Sequence, residues 1–341
     1  MKAALPPPEK IEKCLIWHNG ALGDLLLAGP ALQALRRGYR KSRVIGVGQP
    51  GLWNLLKETL RVETVWDGGA GLWAPLFSPS GPLPEVLVER LSGVSLALVF
   101  SPKPNQDFLK RLGQAGVSEA FWAPSFPQNG QEPVRLLQAG HLQRLGFCYD
   151  PEPFYLTLDT APDELSPVIP ADQPLLTVAP GSGNPRKNWP LSHYYEVTRA
   201  LAWEYGLHVV WLAGPAEAAW LPYLQGLAES QGHSLLVNRP LTEAARLLAR
   251  THLYIGGDSG ITHLAAAAKA RRVLTLFGPT NPKIWAPFGH QVEVLTEQRD
   301  PAPGIDARIS GAASGLINLS IQEVMKAAAR LLEESGILKR N

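Results

Sequence analysis

Short apolar runs alternate along the chain with longer segments whose apolar positions recur at helical spacing. In the first half, this pattern predicts strands at 13–18, 43–48, 62–67 and 94–100 and helices at 24–37, 52–60, 106–116 and 133–147. Pro30 is expected to bend the first of these helices. Strands that alternate with helices pair in parallel, so we expect a sheet with helices on both faces.

The alternation stops between residues 150 and 174, a stretch rich in Pro, Asp and Glu that we interpret as an interdomain linker. It then resumes. The second half is predicted to contain strands at 175–180, 208–214, 234–238, 253–257 and 272–278, and helices at 191–205, 216–231, 241–251, 260–270 and about 320–335. Ser192 is expected near the cap of the first of these helices. The pattern therefore predicts an α/β chain with two Rossmann-like domains, residues 1–160 and 172–341, on either side of a cleft.

Composition narrows the class of protein. A chain of 341 residues with 45% hydrophobic and 18% charged residues suits two globular domains, and a net charge of +2 gives no general attraction to nucleic acid. The two cysteines, Cys14 and Cys148, form no CxxC pair, which argues against a disulfide framework or a zinc site. No signal peptide or apolar run of membrane-spanning length is visible. We expect a cytoplasmic protein that at most touches a membrane peripherally.

Two glycine motifs suggest functions that their context does not support. "GVGQPG" (46–51) matches the dinucleotide fingerprint in outline, with Asp67 about twenty residues on, but it contains Pro50 and follows the second strand; we favour a glycine-rich turn. "GDSG" (257–260) occurs in serine proteases, but here it opens an Ala-rich helix in an α/β chain, and we reject that interpretation.

Three loops at strand ends carry the candidate chemistry: "GALGD" (20–24), "APGSGNPRKNWP" (179–190) and "GGDSGITHLAAA" (256–267). The backbone N–H groups of Ser259 and Gly260 lie at a helix start, which favours an anion. Lys187 can supply a positive charge to the same anion. Together they indicate a diphosphate site in the C-terminal domain.

These motifs, with "AGPAE" (213–217) and the segment 256–289 that includes "FGPTNP", resemble glycosyltransferase family 9, the ADP-heptose:lipopolysaccharide heptosyltransferases. The resemblance spans nearly the whole chain. It implies a GT-B architecture in which the N-terminal domain binds the acceptor and the C-terminal domain binds the nucleotide-sugar. In such an arrangement, the last helix can pack back on the N-terminal domain.

The resemblance also implies roles for individual residues. Asp24 matches the proposed general base, and Lys187 matches the lysine that steadies the diphosphate. Residues 239–241 fall where the family places the adenine. The residues that match the donor and nucleotide site are Gly23, Ser182, Gly183, Glu217, Asp258, Ser259, Gly260, Ile261, Thr262 and His263.

Each residue also has a purely structural interpretation, which the sequence leaves open. Asp24 and Asp258 can cap helices, and Glu217 can belong to the first turn of a helix. Lys187 and Arg186 can lie on a solvated loop, and His263 can be a packed histidine. The basic run 36–43 can stabilise the C-terminal end of its helix or contact an acidic lipid-linked acceptor or anionic lipid.

The expected function is inverting transfer of heptose from ADP-heptose to a lipopolysaccharide inner-core acceptor, a lipid-linked oligosaccharide, at the inner face of the inner membrane. Such a reaction needs a base for the acceptor hydroxyl and positive charge at the departing diphosphate. No carboxylate cluster has metal-binding spacing, so we expect no cofactor and no metal, with lysine and helix dipoles in place of Mg²⁺. The alternatives are another nucleotide-sugar or acceptor, an NAD(P)-dependent oxidoreductase, or a non-catalytic nucleotide-sugar-binding protein.

Overall fold

A computed structural model describes residues 4–127, 132–159, 169–170, 172–296 and 316–340. The chain divides into two compact units, Met1–Thr157 and Leu158–Asn341, which are described separately. This division falls inside the predicted linker 150–174, and residues 150–159 form neither helix nor strand. Residues 160–168 and 171 of that linker lie outside the described residues.

The first unit is built on one parallel sheet. Its strands are β1 (Lys13–His18), β2 (Arg43–Gly48), β3 (Val62–Asp67), β4 (Leu96–Ser101) and β5 (Glu119–Pro124). They lie in the order β3-β2-β1-β4-β5. The chain extends the sheet in one direction from β1 to β3 and then returns to the other side of β1, so the switch point lies between β1 and β4. The first three strands match the prediction residue for residue.

The helices of the first unit are α1 (Leu22–Leu27), α2 (Gly29–Gly38), α3 (Pro50–Leu55), α4 (Lys57–Leu60), α5 (Glu85–Leu91), α6 (Gln106–Gln114) and α7 (Val134–Arg144). The predicted helix 24–37 is divided at Ala28, beside Pro30, which confirms a break there because proline lacks the N–H of a continuing helix. The predicted helix 52–60 is also divided, at Leu56, and that single-helix prediction was wrong.

The second unit contains a parallel six-stranded sheet. Its strands are β6 (Leu175–Ala179), β7 (His208–Ala213), β8 (Ser234–Val237), β9 (Leu253–Gly257), β10 (Val273–Phe277) and β11 (Val292–Thr296). They lie in the order β11-β10-β9-β6-β7-β8, which is the strand order of a dinucleotide-binding Rossmann sheet. The prediction of an α/β chain with two Rossmann-like domains is confirmed. The switch point of this sheet lies between β6 and β9.

The helices of the second unit are α8 (Leu191–Tyr205), α9 (Leu221–Gln231), α10 (Leu241–Arg250), α11 (Gly260–Ala267), α12 (Pro282–Trp285) and α13 (Ile321–Glu334). The N-cap of α8 is Pro190, and Ser192 lies near it, as expected, as the second helical residue; no side chain caps this helix. Among the described residues, no helix is both long enough and apolar enough to span a bilayer.

The last helix, α13, is amphipathic as predicted and packs into the core of the second unit. Its apolar side includes Val324, Leu331 and Leu332, which belong to the same buried cluster as Leu201 of α8. Its start is fixed by a capping box, in which the Ser320 hydroxyl accepts the Glu323 N–H and the Glu323 carboxylate accepts the Ser320 N–H. Its packing on the other unit stays a prediction.

Candidate active site

The candidate donor residues of the second unit lie at the carboxyl ends of three adjacent strands. The loop after β6 carries Ser182 and Lys187, the turn after β9 carries Asp258, and the turn after β10 carries Thr280. Because β6 and β9 flank the switch point, their connections leave the sheet in opposite directions and open a crevice at this edge. The sheet order thus brings together residues that are far apart in sequence.

An ion pair joins two of these loops. The Lys187 Nζ donates to Asp258 Oδ2 over 2.7 Å, and the Thr280 hydroxyl donates to the same oxygen over 2.6 Å. The Asp258 side chain is 9% exposed and that of Lys187 is 25% exposed. Lys187 is therefore not a solvated loop residue, whereas Arg186 beside it is exposed, as the structural interpretation predicts.

The helix α11 begins next to this ion pair. Its N-cap residue is Ser259, so the interpretation of Asp258 as a helix cap was wrong. The Thr262 hydroxyl donates back to the Gly257 carbonyl and lies 3.0 Å from the Tyr254 hydroxyl, which holds the turn against β9. Ser259, Gly260 and Ile261 remain partly exposed. The first N–H groups of a helix have no partner within it, so this partly exposed end can bind an anion.

His263 lies one turn into α11 and is buried. Burial lowers the pKa of its imidazole to about 4, with Asp258 opposing this shift and Lys187 adding to it. The ring is therefore neutral at pH 7. The structural interpretation of a packed histidine fits this burial, and the ring also lies within electrostatic range of the Lys187–Asp258 pair.

Glu217 connects the loops that follow β6 and β7. It is the third residue of a 3-10 segment, Pro215–Trp220, so the first-turn interpretation is confirmed. Its Oε1 accepts the Gly181 N–H and its Oε2 accepts the Gly214 N–H, each over 2.8 Å. Burial raises the pKa of this carboxyl, and these N–H groups oppose the shift. A Cβ on Gly181 would lie 2.4 Å from Glu217 Oε1, so the contact requires glycine.

Ser182 and Gly183 differ in how tightly they are held. The Ser182 Oγ lies 2.8 Å from the Asn184 carbonyl and 2.7 Å from Asn188 Oδ1, so it stabilises the loop that ends in Lys187. Gly183 is exposed, and a Cβ there would meet none of the described atoms within 4 Å. Its backbone is open to a ligand, but the fold does not require glycine at this position.

In the first unit, Asp24 lies at the switch point, three residues into α1. The N-cap is Ala21, so the interpretation of Asp24 as the capping residue was wrong, although its Oδ2 accepts the Ala21 N–H over 3.2 Å. Asp24 and Gly23 are partly exposed. A Cβ on Gly20 would lie 2.9 Å from the His18 ring and 3.1 Å from Asp24 Oδ2, so the turn needs glycine to let the carboxylate approach.

Comparison with known proteins bears on the region that contains the donor residues. Residues 142–309 match the family model of glycosyltransferase family 9 (heptosyltransferase). This part of the chain is therefore similar to glycosyltransferase family 9. Over 176 residues, the chain is 31% identical to lipopolysaccharide heptosyltransferase 2 of Salmonella typhimurium, an alignment that covers 49% of each protein. The chain thus spans about half the length of the curated relatives it matches.

Solved structures extend the likeness to the whole fold. The chain matches a glycosyltransferase family 9 protein of Veillonella parvula with a TM-score of 0.76 and 18% identity, over 97% of this chain and 99% of that one. It matches E. coli ADP-heptose LPS heptosyltransferase II with a TM-score of 0.71 and 17% identity, over 95% of this chain and 99% of that one. At these identities the likeness concerns the fold, and it confirms the expected GT-B class of α/β protein.

Three residues that contact the candidate site were not among the predicted site residues. Thr280 binds Asp258, and Asn184 and Asn188 hold Ser182. The sequence signal for Thr280 was its place in "FGPTNP", directly after a predicted strand, but no spacing rule indicates a hydrogen bond to a residue 22 positions away. The roles of Ile261, Thr262 and residues 239–241 in binding the nucleotide stay predictions.

The glycines of "GVGQPG" have a packing explanation. A Cβ on Gly46 would lie 2.4 Å from Trp53, and one on Gly48 would lie 2.1 Å from the His18 carbonyl oxygen. Both glycines therefore allow α3 and β1 to pack closely on β2.

In the basic run 36–43, Arg36 donates to the Tyr39 carbonyl at the end of α2, as the helix-end interpretation predicts. Arg37, Arg40 and Lys41 are exposed.

Proposed function

We propose that the protein transfers heptose from ADP-heptose to a lipopolysaccharide inner-core acceptor, with inversion at the anomeric carbon. The observation that carries the proposal is the Lys187–Asp258 pair beside the start of α11, at the switch point of a Rossmann sheet in the family 9 region. The names of the relatives, lipopolysaccharide heptosyltransferase and ADP-heptose LPS heptosyltransferase, support this choice of donor and acceptor class.

In the proposed reaction, the second unit stabilises the leaving ADP. An ammonium has three N–H donors, and Lys187 gives one of them to Asp258, which leaves the others for diphosphate oxygens. The N–H groups of Gly260 and Ile261, two partly exposed residues, add donors and the positive end of the α11 dipole. These groups are most effective where negative charge grows on the diphosphate as the glycosidic bond breaks.

The first unit supplies the base. The acceptor hydroxyl attacks the anomeric carbon as its proton passes to the Asp24 carboxylate, and the bond to the diphosphate oxygen breaks. The Ala21 N–H holds one carboxylate oxygen, and Gly20 lets the side chain lie close to its own turn. Because Asp24 is only partly buried, an acceptor can reach it. Proton transfer of this kind contributes about 10²–10⁴-fold to a rate.

We further propose that transfer needs no metal ion, because Lys187 and the start of α11 provide the positive charge that Mg²⁺ supplies in other nucleotide sites. The part of the chain that the structure describes holds no group of three or more His, Cys, Asp or Glu side chains placed for a metal. The residues present are suited to binding phosphate oxygens by N–H donation.

A thermal-shift panel of ADP, UDP, GDP and NAD, each with and without EDTA, tests the donor class and the metal requirement. We expect ADP alone to raise the melting temperature, with the same shift in EDTA. A ligand at about 100 times its Kd stabilises the folded state by about 2.7 kcal/mol. Stabilisation by UDP or GDP instead would change the donor, NAD alone would favour the oxidoreductase, and loss of the ADP effect in EDTA would contradict metal independence.

We also propose that the protein contacts anionic membrane through the exposed residues Arg37, Arg40 and Lys41. Each basic residue near such a surface contributes about 1 kcal/mol, so replacing all three by serine should weaken binding to phosphatidylglycerol vesicles roughly hundredfold in a sedimentation assay. The control replaces Lys103 and Lys110, which are exposed in the same unit, by serine. Equal loss in both variants would indicate a general charge effect and contradict this surface.

A further inference from the structure

Thr280 lies in the turn after β10, three residues beyond the end of the strand. Strand β10 is the neighbour of β9, and β9 is the neighbour of β6. The turn that carries Thr280 therefore lies beside the turn that carries Asp258. Sheet order, rather than sequence proximity, places a hydroxyl donor against the carboxylate.

The Asp258 Oδ2 accepts two hydrogen bonds, from the Lys187 ammonium over 2.7 Å and from the Thr280 hydroxyl over 2.6 Å. Both Asp258 and Thr280 are 8% exposed, so water does not compete freely for either group. Hydrogen bonds to an ionised partner are short and about twice as strong as neutral ones. The carboxylate is thus held by donors from two different loops.

This arrangement bears on Lys187, whose ammonium is carried by a flexible four-carbon stem. An ammonium on such a stem is held in place only if its partner is held. Asp258 accepts a hydrogen bond from Lys187, and Thr280 limits rotation of the Asp258 carboxylate. The Thr280 hydroxyl also shares the negative charge of Oδ2, which leaves the ammonium more available to a second anion.

We propose that Thr280 is a positioning residue that fixes Asp258 and, through it, directs the Lys187 ammonium at the leaving diphosphate. The proposal rests on the proposed function, because the diphosphate is the group that Lys187 would meet. Thr280 itself touches no reacting atom. Its effect should therefore be larger on kcat than on donor affinity, because the diphosphate gains charge in the transition state.

The chain offers a matched control for this proposal. Thr275 lies on β10, is fully buried, and its hydroxyl has no hydrogen-bond partner among the described residues. Thr275→Val therefore removes a threonine hydroxyl five residues before Thr280 without removing a hydrogen bond. We expect neither transfer nor ADP binding to change in this variant. Thr280→Val removes a hydroxyl bonded to a carboxylate, and Thr280→Ser keeps it.

The test measures kcat and KM for ADP-heptose, the Kd of ADP by calorimetry, and melting temperature for wild type and these three variants. For Thr280→Val we expect kcat to fall roughly tenfold or more and ADP binding to weaken several-fold, the loss typical of a hydrogen bond to a charged group. Thr280→Ser should recover most of both. Thr280→Ala gives the same comparison if the valine variant does not fold.

The outcomes separate this inference from the proposed function. A wild-type protein that neither transfers heptose nor binds ADP would contradict the proposed function. A wild-type protein that binds ADP, together with a Thr280→Val variant that behaves like Thr275→Val, would overturn the inference about Thr280. A lower melting temperature in Thr280→Val with unchanged kcat and Kd would assign Thr280 a purely structural role and would overturn it as well.

Discussion

Replacing Asp24 with asparagine is expected to lower the rate of heptose transfer about 10²–10⁴-fold while ADP binding stays unchanged. The amide has nearly the shape of the carboxylate, and its oxygen can still accept the Ala21 N–H at the start of α1. It cannot take the proton of the acceptor hydroxyl. Initial rates with ADP-heptose and a heptose-accepting lipopolysaccharide core measure the loss, and calorimetry measures the ADP affinity.

The control for this substitution is Asp107→Asn. Asp107 is also an acidic residue in the first turn of a helix of the same unit, and it is exposed. Both variants lose a carboxylate near the positive end of a helix, which costs about 0.3–1 kcal/mol of stability. Transfer should fall in Asp24→Asn and persist in Asp107→Asn. If the Asp24 variant transfers heptose within about threefold of the wild-type rate, Asp24 only stabilises α1, and the base is another residue.

Strands in the interior of each sheet were all predicted, because they are buried on both faces. Continuous apolar runs identified β1 and β9 to the residue. Two edge strands, β5 and β11, were missed, whereas the edge strands β3 and β8 were predicted. In β5 the burial is mixed, and in β11 four of the residues are only partly buried and Glu293 pairs with Arg330. Strand β11 has no continuous apolar run, and in β5 the run is limited to residues 120–123 before Pro124. Both are identified as strands by their pairing with β10 and β4.

The location of the candidate site was predictable because parallel sheets gather functional loops at the carboxyl ends of their strands. The partners within the site were not. Glu217 was assigned to the donor site by resemblance, but its bonds to Gly181 and Gly214 depend on how two loops meet. Likewise, Asp258 was open to interpretation as a cap because capping is a local rule, whereas its partners come from two other strand ends.

Replacing Lys187 with methionine is expected to lower transfer about 10²–10³-fold, the loss seen when a donor to a developing negative charge is removed. It should also destabilise the fold, because the largely buried Asp258 carboxylate then loses its ion pair and keeps the hydrogen bond from the Thr280 hydroxyl. The loss of a hydrogen bond to a charged group is about 1.5–3 kcal/mol of unfolding free energy. Urea unfolding and initial rates measure the two effects.

A second substitution separates catalysis from stability. Adding Asp258→Asn to Lys187→Met removes the unpaired charge, so the free energy of unfolding should recover toward the wild-type value. Transfer should not recover, because the ammonium is still missing from the diphosphate site. Lys339→Met serves as the control, since Lys339 pairs with Glu204 in an exposed ion pair. That variant should keep both stability and transfer.

The combination of results decides what the ion pair does. Loss of transfer in both Lys187 variants, with stability restored only in the double variant, fits an ammonium that acts on the leaving group and a carboxylate that positions it. If transfer also returned in the double variant, the defect of Lys187→Met would come from the uncompensated charge of Asp258. The positive charge for the leaving diphosphate would then have to come from the start of α11 alone.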